Sequence, residues 1–242
     1  MRLAFISDIH ANLQAFQAVL TDIEKLQATE IFSLGDNIGY GPQPEEVINL
    51  LRKRNIASIM GNHEYALLSS NYCKSLNPSA RKSISITRQL ISDDTLSFIS
   101  SLPPFRIVLG CRCVHGCPPD SIVRYLYAPS DERLLRLLRF FPEPLCFFGH
   151  THNLAIYARD EDGAIEKRRL KQEKLVFDEK RRAIINIGSV GQPRDGDYSA
   201  KYVLYDSEEH SVEIRYVPYD ATETKELILA LGFPEFNATR LG

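Results

Sequence analysis

Arg2-Leu3-Ala4-Phe5-Ile6-Ser7-Asp8-Ile9-His10 opens the chain, and the change of chemistry within it decides how the rest is read. Residues 2–7 are too short an apolar run for a membrane span or the core of a signal peptide. They read as a β-strand, and the protein is expected to stay in the cytoplasm. Asp8 and His10 stand two residues apart, which in extended backbone puts both on one side of the strand, within reach of one cation. Outward from there, apolar residues recur at helical spacing over 13–25. A strand is expected over 31–34, a helix over 44–54 and a strand over 56–60. This βαβαβ rhythm predicts a parallel sheet covered by helices.

Residues 78–102 carry one or two helices, with Ser92 as N-cap and Pro103-Pro104 as a stop, within a helical insertion at about 65–102. Strands are expected over 105–109, 111–115 and 145–148, with a helix between them starting at Ser130. Beyond residue 154 the chain turns to short strand candidates, over 154–157, 165–170, 175–177, 183–187, 202–205 and 212–217, which favour a second, more antiparallel sheet. Asp220 followed by Glu223 reads as the capping box of a closing helix through residue 231. No repeat or linker interrupts the 242 residues, so a single α/β (α+β) domain over 1–242 is expected. A net charge of -2 leaves no overall footprint for nucleic acid or an anionic membrane, so any substrate has to be argued from the site.

The histidines supply that argument. Of six in the chain, five (His10, His63, His115, His150 and His152) fall at or just after the C-terminal end of an expected strand, where open α/β sheets bind ligands. His210, in a polar turn, reads as a surface residue. Gly149-His150-Thr151-His152 repeats the Asp8/His10 spacing with two imidazoles. Gly35-Asp36 follows the second strand and Gly61-Asn62-His63-Glu64 the third. Taken singly, a histidine is more often a hydrogen-bonded core residue, Asp36-Asn37 a turn and Asn62 a cap. Together, so many metal-competent groups would be costly to crowd unless cations ordered them.

Asp8-Ile9-His10, Gly35-Asp36-Asn37, Gly61-Asn62-His63-Glu64, His115 and Gly149-His150-Thr151-His152 resemble the D-x-H, G-D, G-N-H-(D/E), H and G-H-x-H blocks of the calcineurin-like metallophosphoesterases. The segment Ile187-Gly188-Ser189-Val190-Gly191-Gln192-Pro193-Arg194 further resembles a segment of their small prokaryotic phosphodiesterase/phosphatase branch. The resemblance implies a four-layer sandwich, two mixed β-sheets packed face to face and flanked by α-helices. It places Asp8, His10, Asp36 and His152 on one divalent metal ion and Asp36, Asn62, His115 and His150 on a second, with Asp36 bridging. It makes His63 the residue that contacts the phosphate or protonates the leaving group. Donors without thiolate suit manganese, with iron, zinc or nickel as alternatives. Two such ions about 3.5–4 Å apart can hold a bridging hydroxide and stabilise both oxygens of an in-line attack on a phosphodiester or phosphomonoester.

Asn37 and Tyr40, beside the bridging Asp36, and Arg194 are the candidates for substrate contact, Arg194 on the strength of the resemblance. Tyr40 could equally sit in a plain turn, and Arg194 could pair with Asp195 or Asp197 at the surface. The substrate, possibly a nucleotide, is not legible: serine/threonine phosphatase and diadenosine tetraphosphatase-like activities use the same ligands, and a non-catalytic scaffold could share the fold. Cys111, Cys113 and Cys117 around His115 could also form a structural zinc site, but lack a second paired half, and the first two read as one face of a strand.

Overall fold

The computed structural model describes residues 1–178 and 181–242. Along the chain run β1 (Arg2–Ile6), α1 (Leu13–Lys25), β2 (Glu30–Ser33), α2 (Pro44–Lys53) and β3 (Ala57–Ser58). Four helices follow, α3 (Asn62–Leu68), α4 (Ser70–Ser75), α5 (Pro78–Leu90) and α6 (Asp93–Ser100). Then come β4 (Phe105–Val108), β5 (Cys111–Val114), α7 (Asp131–Arg139), β6 (Leu145–Phe148), β7 (Ala155–Arg159), β8 (Ile165–Arg169), β9 (Lys174–Val176) and β10 (Arg182–Asn186). The chain closes with β11 (Ala200–Asp206), β12 (Ser211–Val217), α8 (Thr222–Ala230) and α9 (Glu235–Thr239).

The strands make two mixed six-stranded sheets, ordered β3-β2-β1-β11-β12-β9 and β4-β5-β6-β10-β7-β8. In the first, β1, β2 and β3 are mutually parallel, as the opening rhythm predicts, and β11, β12 and β9 continue antiparallel. In the second, β5, β6 and β10 are parallel and the outer strands antiparallel. The expectation that the strands beyond residue 154 form a second, more antiparallel sheet is therefore corrected. Those strands are dealt to both sheets, because β11 pairs with β1 and β10 slots between β6 and β7.

Alternation along β1 explains the layering. Leu3 and Phe5 face the second sheet, where Phe5 meets Phe147 with ring centroids 4.4 Å apart, while Ala4 and Ile6 face α1 and α2. On α1, Phe16, Val19, Leu20 and Ile23 are buried at helical spacing, each stabilising the fold by roughly 1.5–3 kcal/mol. Asn12 caps that helix by accepting from Ala15 N–H at 3.1 Å. On the outer face of the second sheet, Leu134, Leu137 and Leu138 of α7 cover Phe148, Tyr157 and Ile184. The result is a four-layer sandwich, two sheets between helices. The closing helix begins one residue later than the expected capping box allows: Ala221 is its N-cap, and Asp220 accepts instead from Thr222 N–H at 2.9 Å.

Candidate metal centre

The C-terminal ends of β1, β2, β5 and β6, with the start of α3, meet at one edge of the sandwich and bring the predicted residues together from both sheets. The local backbone is not the extended strand expected for Asp8 and His10. β1 stops at Ile6, and Asp8 (φ 54°), His10 (φ 49°), Asp36 (φ 51°), Tyr40 (φ 52°), His150 (φ 65°) and His152 (φ 58°) all occupy the left-handed region. L-residues adopt that region at a cost, and it persists where surrounding bonds over-determine it. Here Asp8 N–H donates to Gly35 O (3.0 Å), His10 N–H to Asp36 O (2.9 Å) and Ala11 N–H to Asn37 O (2.8 Å), lacing the first two loops together.

Each carboxylate is held by one oxygen and aims the other at imidazoles. Asp8 Oδ2 accepts from Ser7 Oγ (2.7 Å) and His150 N–H (3.0 Å), while Oδ1 lies 3.1 Å from His152 Nε2 and 3.7 Å from His10 Nε2. Asp36 Oδ1 accepts from His63 N–H (2.8 Å), while Oδ2 lies 3.2 Å from His115 Nε2, 3.7 Å from His10 Nε2 and 4.0 Å from His63 Nε2. The Nδ1 atoms of His10, His115 and His152 face the carbonyls of Ile38 (3.1 Å), Leu34 (2.8 Å) and Gln192 (2.5 Å). A carbonyl can only accept, so each Nδ1 carries the proton and each Nε2 presents a lone pair inward. Yet His10 Nε2 and His152 Nε2 are 3.0 Å apart, and Asp8 Oδ1 and His150 Nε2 are buried with no hydrogen-bond partner among the described residues. Asn62 adds its Oδ1, 3.1 Å from His115 Nε2.

So many facing acceptors need positive charge between them. Protons serve poorly, since burial, then the neighbouring histidines, hold His10 well below its ordinary value and push His150 down to about 3. Burial opposes charge on His115 too, but the Asp36 carboxylate overcomes it and raises that ring to about 9, so positive charge is favoured between the two. Burial likewise works against ionising Asp36, and the surrounding histidines nonetheless hold it well below the carboxylate range. Among the described residues three clusters of metal-competent donors result: Asp8, His10 and His152; His10, Asp36 and His63; Asp36, His115 and His150. Oxygen and imidazole donors of this kind fit divalent cations.

His63 packs in the same space, its ring 4.7 Å from that of His10 and 4.4 Å from that of Tyr40. Burial lowers it to about 4, and its Nδ1 has no partner among the described residues. Gly39 makes this packing possible: at φ 87°, an added Cβ would lie 2.1 Å from His63 Nδ1. Asn37 is fully buried, accepting from Ser33 Oγ and donating to Ser58 Oγ (3.0 Å) and Glu64 Oε1 (3.3 Å), so its side chain anchors its loop. Glu64, whose role the sequence did not disclose, clamps the second and third loops. Its carboxylate accepts from Asp36 N–H (2.9 Å), Asn37 N–H (2.7 Å) and Gly61 N–H (2.9 Å). Burial, then the Asp36 charge, pushes Glu64 up to about 7.

Tyr40 touches His10 and His63 and lies under Arg194, whose Cζ is 5.8 Å from its ring centroid. Arg194 does not pair with Asp195 or Asp197 among the described residues. The fully buried Lys201 takes both, at 2.9 and 3.2 Å, and Arg194 donates instead to Gln192 Oε1 at 3.1 Å. Two residues missed in the sequence complete the surroundings: Tyr125 stacks on His150 at 3.8 Å, and Arg240 faces the same cleft as Arg194. Neither sits in a motif, so no local signal marked them. The cysteine alternative is not supported. No thiol belongs to a metal-competent cluster among the described residues, and Cys111 and Cys113 pack between the sheets, where burial pushes Cys111 up to about 12.

A two-sheet sandwich with these donors at its strand ends defines a metallophosphoesterase, and the chain belongs to the calcineurin-like phosphoesterase family, which residues 1–154 match. Among its relatives, an uncharacterised protein of Methanocaldococcus jannaschii is 35% identical, with 99% of this chain and 96% of that protein aligned. The crystal structure of a metallophosphoesterase from Sphaerobacter thermophilus is also 35% identical, with a TM-score of 0.85 over 100% of this chain and 98% of the other. A hypothetical protein of Pyrococcus horikoshii, 20% identical, shares the fold with a TM-score of 0.77 over 99% and 97%.

Proposed function

We propose that the protein is a dinuclear-metal hydrolase of phosphodiesters or phosphomonoesters. Asp8, His10, Asp36 and His152 would hold one divalent cation and Asp36, Asn62, His115 and His150 the other, with Asp36 shared between the two sets. The observation that carries this reading is the inward convergence of Asp8 Oδ1 and Asp36 Oδ2 on imidazole lone pairs whose protons are committed to backbone carbonyls. Two cations held there would supply Lewis acidity for an in-line displacement at phosphorus. The chain's own part is orientation. The backbone carbonyls fix three rings, Glu64 joins the loops of Asp36 and Asn62, and His63 Nε2, the ring nitrogen facing Asp36, contacts the phosphate or protonates the leaving group. We favour manganese on donor chemistry, with iron, zinc or nickel as alternatives.

The test is metal analysis of the purified protein with hydrolysis of p-nitrophenyl phosphate and bis-p-nitrophenyl phosphate across manganese, nickel, iron and zinc. Two bound ions and metal-dependent turnover are expected. Absence of hydrolysis with every metal would overturn the enzymatic reading in favour of a scaffold, and a His63→Ala enzyme retaining full activity would overturn the role of that residue. No helix among the described residues is long and apolar enough to cross a membrane. A cytoplasmic location is part of the proposal.

A further inference from the structure

Beside the metal centre lies a cleft of about 120 Å³ whose lining includes Tyr40, Asn77, Tyr125, Arg194, Phe236 and Arg240. It adjoins the centre across two aromatic side chains, since Tyr40 also touches His10 and His63 and Tyr125 stacks on His150. Its charge is one-sided: two guanidinium groups line it and no carboxylate does. Among the described residues neither arginine forms an ion pair. Arg240 rests on the Phe236 ring with its Cζ 4.3 Å from the centroid, and Arg194 Nε is buried with no hydrogen-bond partner. Like charges sharing one cleft repel, and burial together with the Arg194 charge lowers Arg240 from the ordinary arginine range. The carboxylates that could relieve them, Asp195 and Asp197, are bound instead by the buried Lys201. Arg194 spends one N–H on Gln192 Oε1 and keeps its Nε–H uncommitted, and two guanidinium groups without a carboxylate beside the proposed metal centre suit a further anion, because guanidinium recognises phosphate oxygens through paired N–H bonds.

We propose that this cleft binds a second phosphoryl group of the substrate, so that the enzyme prefers organic phosphates with two adjacent phosphoryl groups over those with one. The proposal rests on the phosphoesterase reading. With ADP as substrate, Arg194 and Arg240 hold the α-phosphoryl group while water displaces AMP from the β-phosphorus, giving AMP and inorganic phosphate. With AMP, water displaces adenosine and the cleft stays unused. The two probes share base and sugar, and only the second phosphoryl group differs.

The experiment compares ADP with AMP on the metal-loaded protein, by phosphate release and by calorimetric titration, for wild type, Arg194→Gln, Arg240→Gln and Arg240→Lys. In wild type, kcat/KM and affinity should favour ADP by about tenfold or more, the scale of charge-assisted hydrogen bonds. Each Gln variant should bring that preference down by about tenfold, and Arg240→Lys, which keeps the charge, by less. An ADP-to-AMP ratio that stays within about twofold of wild type in both Gln variants would overturn the subsite. If wild type hydrolyses neither nucleotide, the phosphoesterase reading fails for them, and the titrations alone decide the subsite by the same ratio.

Discussion

Glu64→Gln is the sharpest test of how the centre is held together. The substitution keeps the shape of the side chain but leaves one acceptor oxygen where there were two. In the structure Oε2 receives Gly61 N–H and Asp36 N–H, both at 2.9 Å, and Oε1 receives Asn37 N–H at 2.7 Å and the Asn37 amide at 3.3 Å. A glutamine retains the most by placing its oxygen at the Oε2 position. Its amide then faces Asn37 N–H, donor against donor, in a site with no exposure. An orphaned buried N–H costs about 1–3 kcal/mol, and the two retained bonds lose their charge assistance, so the total is about 3 kcal/mol. For a chain of this size that lowers Tm by roughly 6–12 °C. The measurement is calorimetric unfolding of chelator-treated protein above pH 7, where the Glu64 carboxyl, raised to about 7, is charged in the wild type. Because the clamp joins the loops of Asp36 and Asn62, metal affinity should also fall, by about 10–100-fold as for other groups that orient ligands. A Tm within about 2 °C of wild type and unchanged metal affinity would refute the clamp.

Asp36→Asn weakens the one carboxylate shared by both proposed ions, so bound metal should drop below two per chain and kcat/KM by about a thousandfold or more, read by elemental analysis and p-nitrophenyl phosphate turnover. Lys201→Met strips the buried cation from Asp195 and Asp197; with Asp197 half-exposed, about 3 kcal/mol of stability should be lost in urea titration. The double variant Cys111→Ala/Cys113→Ala should leave metal stoichiometry unchanged, and loss of one zinc per chain would restore the cysteine alternative.

Local periodicity carried much of the fold. Helix α1 spans the residues read from its apolar spacing, and β6 and α7 lie where the apolar run and the Ser130 cap put them. Pairing partners were less legible. That β11 joins β1 as well as its sequence neighbour β12 depends on contacts about two hundred residues apart, as in the register of Phe5 with Val203, and no local pattern encodes that. The short helix α3 was hidden because Asn62, His63 and Glu64 look like a ligand loop, although Glu64 returning to Gly61 N–H is what starts it. At the site, the donor types were readable because metal chemistry restricts them to a few residues. Their aim was not: left-handed turns, rather than strand alternation, bring Asp8 and His10 to one point. Asn37 was ambiguous because an amide beside a proposed ligand reads the same whether it faces the substrate or the core, and Arg240 reaches the cleft from a helix end far along the chain.

The exchange of late strands between the sheets bears on how the protein is born. Every proposed metal ligand has left the ribosome once His152 has emerged, yet β10, the central partner of β6, and β11, the partner of β1, lie thirty or more residues further on. Until they arrive, the strands that carry Asp8 and His150 have open edges, and a nascent chain in that state is prone to pair wrongly. Both sheets can therefore close only after the last proposed ligand has been made.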